Sequence, residues 1–470
     1  MLKLPRAVGL ALGTLVFAAG SAQAGTYVVT AKAQSFDTQL ARKIEAAGGT
    51  ITARLPQIGV AIVEADEGFA YRAGKISALR SVVPDVVIQF DLNEASEEIQ
   101  EDFANPPASG DNDTFFDFQW GHKAIDAVGA WNAGYRGNGA VVAVLDSGVY
   151  CQHRDIGPNL LTSLSRSFIA GQSYCNVLAN PLNGGRNDST HGTHTSGTIL
   201  AADNGFGTIG VAPQSKLIAV KVLSATTGGG SFAAIMQGIV YAADAGADVI
   251  NMSLGVSGGL PVGGNEVAEL INATGRATRY ANKLNATVVA SAGNDGRDLD
   301  HDSGRVCDTD GVCTTDNLRA FPAQLPGVLA ISALGPLKWL ADPANANLDI
   351  RASYSNYGQS VIDFGAPGGN FDYPGIETCS LKGIVRACWV FDMVMSTTSG
   401  TGGYGWSAGT SMSAPHVSGV AALIVGKNGG EMSPAAVERI LRASADDLGK
   451  PGNDETFGSG RVNAARAVGN

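Results

Sequence analysis

Ala140-Val-Val-Ala-Val-Leu-Asp-Ser-Gly148 runs six apolar residues together and then stops on an acid, a hydroxyl and a glycine. A strand with one wet face would alternate, so an unbroken apolar run has both faces covered. Runs of the same kind follow at 216–223, 248–252, 287–292, 328–332 and 361–364. Between and after them lie helical patterns at 191–202, 231–245, 265–284, 411–426 and 433–443. The last opens on Ser433-Pro434, a capping hydroxyl followed by the residue best suited to a first helical position. Apolar strands alternating with longer helices predict an α/β unit over residues 118–470: a parallel sheet with helices on both faces.

Upstream the character changes. Residues 25–92 read as strand, helix, strand, strand, helix, strand, with strands at 26–30, 50–55, 59–64 and 82–89 and helices at 35–47 and 71–79. This predicts a small α+β unit of β-α-β-β-α-β order with its helices on one face. Residues 93–117 carry Glu97-Glu98, Glu101-Asp102, Pro106-Pro107 and Ser109-Gly110-Asp111 and read as an exposed acidic linker. Residues 1–24 have two early positive charges, an apolar run and small residues at Ala22 and Ala24, the pattern of an export signal. No later run is long and apolar enough for a membrane span. The chain is therefore expected to be secreted, either extracellular or periplasmic.

Lys and Arg total 32 against 43 Asp and Glu, a net charge of -11. With no basic run, neither a nucleic-acid backbone nor an anionic membrane is an expected partner. Six cysteines, an even number in an exported chain, suggest disulfides. Nearest-neighbour pairing is expected: Cys151 with Cys175, Cys307 with Cys313, Cys379 with Cys388. A zinc site is disfavoured, because no Cys-x-x-Cys pair exists and no His stands at ligand spacing from a Cys pair.

Ligands of open parallel sheets sit at the carboxyl ends of strands, so polar residues there are the first candidates. Asp146 ends the first apolar run, and Asn294 follows Val288-Val-Ala-Ser-Ala-Gly293. His191 opens the small-residue helix His191-Gly-Thr-His194, in which His194 should point into the packed interior. Ser411 opens the helix in Gly409-Thr-Ser411-Met-Ser-Ala-Pro415, where the N-terminus favours a developing anion. Each has a plain structural reading as a turn residue or cap. Together they supply a nucleophile, a base, an orienting acid and an oxyanion donor, the set that acyl transfer requires.

These four motifs, in the order Asp, His, Asn, Ser, resemble those of the subtilisin-like serine proteases, or subtilases. The resemblance runs from about Gln119 onward, and residues 25–92 resemble the family's inhibitor-type propeptide. It implies a subtilisin-like fold, a catalytic triad of Asp146, His191 and Ser411 with Asn294 at the oxyanion, and polypeptide substrates. It also implies that Gly228, Gly229 and Gly230 with Ser253, Leu254 and Gly255 hold a substrate strand by its main chain. By the same resemblance Phe232 lines the pocket for the fourth residue before the cleaved bond. Ala292, Gly293 and Ala320 line an uncharged pocket for the residue before the bond, with Asp295 at its rim, implying broad or apolar preference.

Structural Ca2+ is implied at Asp155 and Asn204, with Asp117 a candidate ligand near the start of the catalytic unit, and no organic cofactor is expected. The propeptide would inhibit the enzyme until self-cleavage between about Asn93 and Asp117, and a monomer is expected. Two other readings are weaker. A catalytically silent peptide binder would lack a triad residue, and a lipase-like hydrolase would need Gly-x-Ser-x-Gly and the order Ser, Asp, His.

Overall fold

The computed structural model describes residues 25–90, 96–99, 110–177, 188–307, 313–399 and 403–469. The expected export signal, residues 1–24, lies outside them. Strands β1 (Gly25–Ala31), β2 (Thr50–Leu55), β3 (Val60–Ala65) and β4 (Leu79–Pro84) form a sheet of order β2-β3-β1-β4 with antiparallel neighbours. Helix α1 (Thr38–Ala46) starts where Asp37 accepts from the Leu40 N–H at 2.7 Å. It stops before Gly48, whose φ of +93° turns the chain back. Helix α2 (Phe69–Ala73) runs out at Gly74.

Alternation along these strands produces two apolar faces. Tyr27, Val29, Ala61 and Val63 share a core with Leu40, Ile44 and Phe69 of the two helices. Val28, Val60, Ile62 and Val83 join instead a cluster with Ile235, Ile239 and Leu270 of the larger unit. The small unit thus lends one whole sheet face to its neighbour. Beyond it come β5 (Val87–Gln89), β6 (Ser96–Ile99), and short helices α3 (Trp120–Ala124) and α4 (Ala127–Asn132).

The larger unit is built on β7 (Val141–Asp146), β8 (Arg166–Ser167), α5 (His191–Leu200), β9 (Lys216–Lys221), β10 (Gly229–Ser231), α6 (Phe232–Asp244), β11 (Val249–Met252), β12 (Leu260–Pro261), α7 (Asn265–Lys283) and β13 (Thr287–Ser291). It continues through β14 (Ser303–Cys307), β15 (Cys313–Arg319), β16 (Val328–Gly335), β17 (Ile350–Arg351), β18 (Phe364–Pro367), β19 (Thr378–Leu381), β20 (Ile384–Ala387), β21 (Val394–Thr397), β22 (Tyr404–Ser407), α8 (Thr410–Lys427) and α9 (Pro434–Ser444). The main sheet reads β17-β16-β13-β11-β7-β9-β8 with β18 beside β16, and every pairing but β16 with β17 is parallel. Ala143, Leu145 and Ile250 pack on the side of α6 and α7, while Val142, Val144 and Val249 pack on the side of α8. The uninterrupted apolar runs follow from this double cover.

Several boundaries differ from expectation. The run at 82–89 is two strands, because the chain leaves the small sheet at Pro84 and pairs again only at Val87. The second helix of the small unit is shorter than expected, since residues 79–84 pair with β1 instead. The strand expected at 361–364 begins at Phe364, because Val361 and Ile362 still donate to Gly358 in a turn. The stretch 93–117 is not simply an exposed linker: β6 pairs with β22, Ile99 is buried, and Asp113, Phe115 and Phe116 are packed into the larger unit. Disulfides join Cys151 to Cys175 and Cys379 to Cys388 as expected. Cys313 is disulfide-bonded and stands opposite Cys307 in the strand register.

Candidate active site

Strands β7, β11 and β13 are neighbours, and Asp146, Ser253 and Asn294 lie at or just past their carboxyl ends. His191 and Ser411 occupy the first turns of α5 and α8, two helices buried along almost their whole length. His191 Nδ1 lies 2.9 Å from both oxygens of Asp146, and both residues are buried. The carboxylate also accepts from the Ser147 N–H at 2.6 Å. A buried carboxylate so held fixes the imidazole tautomer, with Nδ1 as donor, and would stabilise its cation.

Ser411 is set by a proline. Pro415 has no N–H to give the carbonyl four residues earlier, which leaves the Ser411 carbonyl without its helical donor. Ser253 Oγ donates to that carbonyl at 2.8 Å, while Ser411 Oγ lies 3.4 Å from the Ser253 carbonyl. Asn251 holds Ser253 in turn, its Nδ2 2.9 Å from the hydroxyl. Asn294 Oδ1 accepts from the Thr410 N–H at 2.8 Å and from the Thr410 hydroxyl at 2.7 Å. That anchor determines which end of the amide can act as a donor. Thr410 and Ser253 were not singled out as positioning groups from sequence, although each stands beside a motif residue. His194 is buried, its Nε2 3.1 Å from the Val394 carbonyl, and burial pushes it down to about 3. Its expected structural role holds.

The glycine edge is already in use. Gly229, Gly230 and Ser231 pair antiparallel with Gln89, Ile88 and Val87, and the Phe90 N–H donates to the Gly228 carbonyl at 3.2 Å. Phe90 also bridges Val256, next to Gly255 of the other expected edge. Gly230 is demanded by the wall of the cleft itself, since a Cβ there would lie 2.6 Å from the Leu223 side chain and 2.7 Å from the Val222 carbonyl. Phe232 is fully buried in one cluster with Ile88 and Phe90, and Leu254 belongs to the same cluster.

A pocket beside this edge is lined by Ala292, Gly293, Ala320 and Asp295, the residues expected together there, and also by Gly255 of the second edge. It is not uncharged below its rim. Asp302, from the insertion after Arg297, also lines it, with its side chain only 4% exposed and ion-paired to Arg297. The insertion returns through β14 and β15 against β12, a fold-back that no local pattern announces.

Asp155 and Asn204 meet at 3.0 Å, Nδ2 to Oδ1. The other Asp155 oxygen accepts from the Thr208 N–H at 3.1 Å and the Tyr404 hydroxyl at 2.9 Å. Asp117 does not join them; it is paired with Lys382 at 2.7 Å. The acid that reaches the loop is Asp113, whose Oδ1 accepts from the Phe206 N–H at 3.0 Å and the Asn204 N–H at 3.4 Å. Asp113 Oδ2 is buried without a hydrogen-bond partner, and Asp111 and Asp203 bring carboxylates within 4.8 Å. Burial, with Asp111 alongside, pushes the Asp113 carboxyl up to about 8. An orphaned buried carboxylate among hard oxygen donors fits a divalent cation.

Fold and site together define a serine peptidase of the subtilisin type. The profile of the Subtilase family matches residues 137–460, and the chain belongs to that family. It is 34% identical to a thermostable alkaline protease of Halalkalibacterium halodurans over 74% of this chain and 73% of that one. It is 30% identical to thermitase of Thermoactinomyces vulgaris over 76% of this chain and 98% of that one. Among solved structures, the epidermin leader peptide processing serine protease of Staphylococcus aureus superposes with a TM-score of 0.71 at 21% identity, covering 95% of this chain and 98% of that one. Fervidolysin of Fervidobacterium pennivorans superposes at 0.65 and 22% identity, covering 97% and 62%. Among the described residues no helix is long and apolar enough to cross a membrane.

Proposed function

We propose that this serine endopeptidase is exported as a precursor and hydrolyses peptide bonds through Ser411, His191 and Asp146. The observation that carries the reading is the buried Asp146–His191 pair, with His191 and Ser411 at the starts of two buried helices. Ser411 Oγ attacks the carbonyl carbon while His191 Nε2 takes its proton, and Asp146 stabilises the imidazolium. Charge building on the carbonyl oxygen is met by Asn294 Nδ2 and the Ser411 N–H, one of the unspent donors at the start of α8. His191 then protonates the leaving amine, and water reverses the sequence to free the acid.

A substrate strand would take the place of β5 on Gly228–Gly230 and face Ser253–Gly255, a main-chain contact that tolerates many sequences. With the Asp302 charge answered by Arg297, the pocket supports a neutral, broad or apolar, preference before the cleaved bond. Residues 25–90 would be the inhibitory leader. The chain enters along β10 and leaves along β22, antiparallel in both, so self-cleavage belongs between Phe90 and Ser96, at or just before the start of the expected interval. Ca2+ would be held by Asp113 with the Asp111 and Asp203 carboxylates, beside the expected pair Asp155 and Asn204, tying the start of the catalytic unit to the loop before Thr208. The mature enzyme would act outside the cytoplasm as a monomer.

The test expresses residues 25–470 beside Ser411→Ala and follows intact mass, with and without EDTA. Wild type should shorten at a bond between Phe90 and Ser96 while Ser411→Ala stays whole, and EDTA should lower the melting temperature of the processed enzyme. Equal masses for two folded chains would remove the self-processing reading, and inactivity of a processed wild type on casein would remove the peptidase assignment to these residues.

A further inference from the structure

Two segments leave the catalytic acid and base, and one buried amide touches both. After Asp146 the chain turns through Ser147 and Gly148, and Val149 then pairs with the segment ending the Cys151–Cys175 loop. The Val149 N–H donates to the Tyr174 carbonyl at 2.9 Å, and the Asn176 N–H donates to the Val149 carbonyl at 2.7 Å. The Asn176 side chain, in a residue 2% exposed, continues inward. Its Nδ2 donates to the Ser189 carbonyl at 3.0 Å, and its Oδ1 accepts from Lys221 Nζ at 3.0 Å.

Each partner is one short step from the triad. Ser189 Oγ accepts from the His191 N–H at 3.2 Å, so Ser189 is the mount on which the catalytic base begins its helix. Lys221 is fully buried and stands opposite Asp146 in the β7–β9 register. Gly148, at φ +91°, is what lets the amide through, since a Cβ there would lie 2.6 Å from Asn176 Oδ1. Gly192 completes the closeness: its Cβ would lie 2.2 Å from the Gly148 carbonyl. The turn after the acid and the turn carrying the base are therefore in backbone contact, and Asn176 is wedged beside that contact.

We propose that Asn176, held by the Cys151–Cys175 bridge one residue before it, is a positioning residue that keeps His191 in register with Asp146. This rests on the triad reading above. Without the amide, the Ser189 carbonyl keeps only the longer bond from the Ser399 hydroxyl at 3.4 Å, with its N–H on the Ala225 carbonyl at 2.9 Å, and the imidazole can drift from the carboxylate. A misplacement of about 1 Å in a catalytic group can cost about 100-fold in rate. The charged or titratable groups around His191 and the amide include Asp146, His194, Lys221 and the buried Asp188, whose carboxylate accepts from the Val177 N–H at 3.0 Å. A looser carboxylate and a less screened lysine both disfavour the imidazolium, and the buried neutral His194 does not change.

The test compares processed wild type with Asn176→Ala and Asn176→Asp, using rates per active site titrated with an acylating inhibitor. Asn176→Asp retains shape and an acceptor for Lys221 but cannot donate to Ser189, so it keeps the question open should Asn176→Ala fold poorly. We expect kcat per site to fall about 10- to 100-fold in both, with KM changed less than about threefold. The acid limb of kcat/KM should move to lower pH in Asn176→Ala. Unchanged kcat per site overturns the proposal whatever the melting temperature does. So does a fall in kcat with an unmoved acid limb, because the Asp146–His191 pairing would then be untouched. A wild type that processes but hydrolyses nothing would sink the triad reading instead.

Discussion

Thr410 decides what Asn294 can do, because two bonds to one amide oxygen leave a single orientation in which the other end can donate. Asn294→Ala should therefore lower kcat by about 10²- to 10³-fold with little change in KM, a magnitude measured on a subtilisin and carried over by kinship. Thr410→Val, which keeps the N–H but removes the hydroxyl, should lose no more than about 10-fold, again in kcat. If steady-state kinetics showed Thr410→Val worse than Asn294→Ala, the anchor would matter for more than the amide. Asp146 and Asn294 stand out in the sequence because each follows an apolar strand run, and His191 and Ser411 because each opens a helix; only together, and by resemblance, do they read as one site. Asp113, Asn176 and Asp302 were not legible there, since each acquires its role from a partner far along the chain. His416 gives a second test at this scale. Its Nδ1 donates to the Met412 carbonyl at 2.8 Å, and burial pushes it down to about 4. A pKa lower in the folded than in the unfolded chain means that its contribution is whole above about 6.5 and shrinks as pH falls toward 4. The stability deficit of His416→Asn, read by urea unfolding, should therefore be largest at neutral pH and narrow on acidification. Buried carboxylates such as Asp392, pushed up to about 6, titrate in the opposite sense but are common to both proteins.

Elements that depend on local chemistry matched expectation, and those that depend on a distant edge did not. Helix α9 begins at Pro434 with Ser433 accepting from the Ala436 N–H, as its sequence announces. Strand β5 could not be read as separate from β4, because its partner is the catalytic cleft, more than a hundred residues later. The same distance hides the seam between the small unit and α7. Arg276, on that helix, donates to the carbonyls of Ala31 at 2.9 Å and Ile58 at 3.1 Å, closing two turns of the small unit at once. Arg80 and Glu269 add a bidentate pair at 2.8 and 2.9 Å across the seam. Charged hydrogen bonds of this type contribute about 1.5–3 kcal/mol each, where a partly exposed surface pair contributes about 1 at most. On the proposed self-processing, Arg276→Ala should therefore shorten the time for which cut residues 25–90 stay bound by at least about 10-fold, with Arg80→Ala nearer to wild type. Size-exclusion of freshly processed enzyme at intervals would decide between them, and equal retention in all three would mean that the apolar sheet face alone holds the leader.

At the scale of the molecule the layered α/β architecture followed from unbroken apolar runs, whereas the sharing of a core between two units did not. Val28, Ile62 and Val83 of the small sheet lie in one buried cluster with Ile235, Ile239 and Leu270 of helices α6 and α7. Hydrophobic periodicity tells which face of a strand is covered and says nothing of which chain segment covers it. The consequence is kinetic. The parallel sheet joins β7 to β9 and β11 to β13 across long crossovers, contacts whose loop-closure entropy must be met before they reward the chain. The small antiparallel sheet closes over about sixty residues, and once formed it offers α6 and α7 a ready apolar surface on which to dock. Full-length Ser411→Ala, unfolded in guanidinium and diluted, should thus recover its native circular dichroism at least about 10 times faster than Ser411→Ala lacking residues 25–90. The difference should shrink when Ile62→Ser spoils the shared face, since that change removes the docking surface while leaving the small unit's own helix-covered core intact. Equal rates for the full-length and shortened chains would mean that the larger unit nucleates by itself, and that the sheet face it borrows serves only to hold β5 in the cleft.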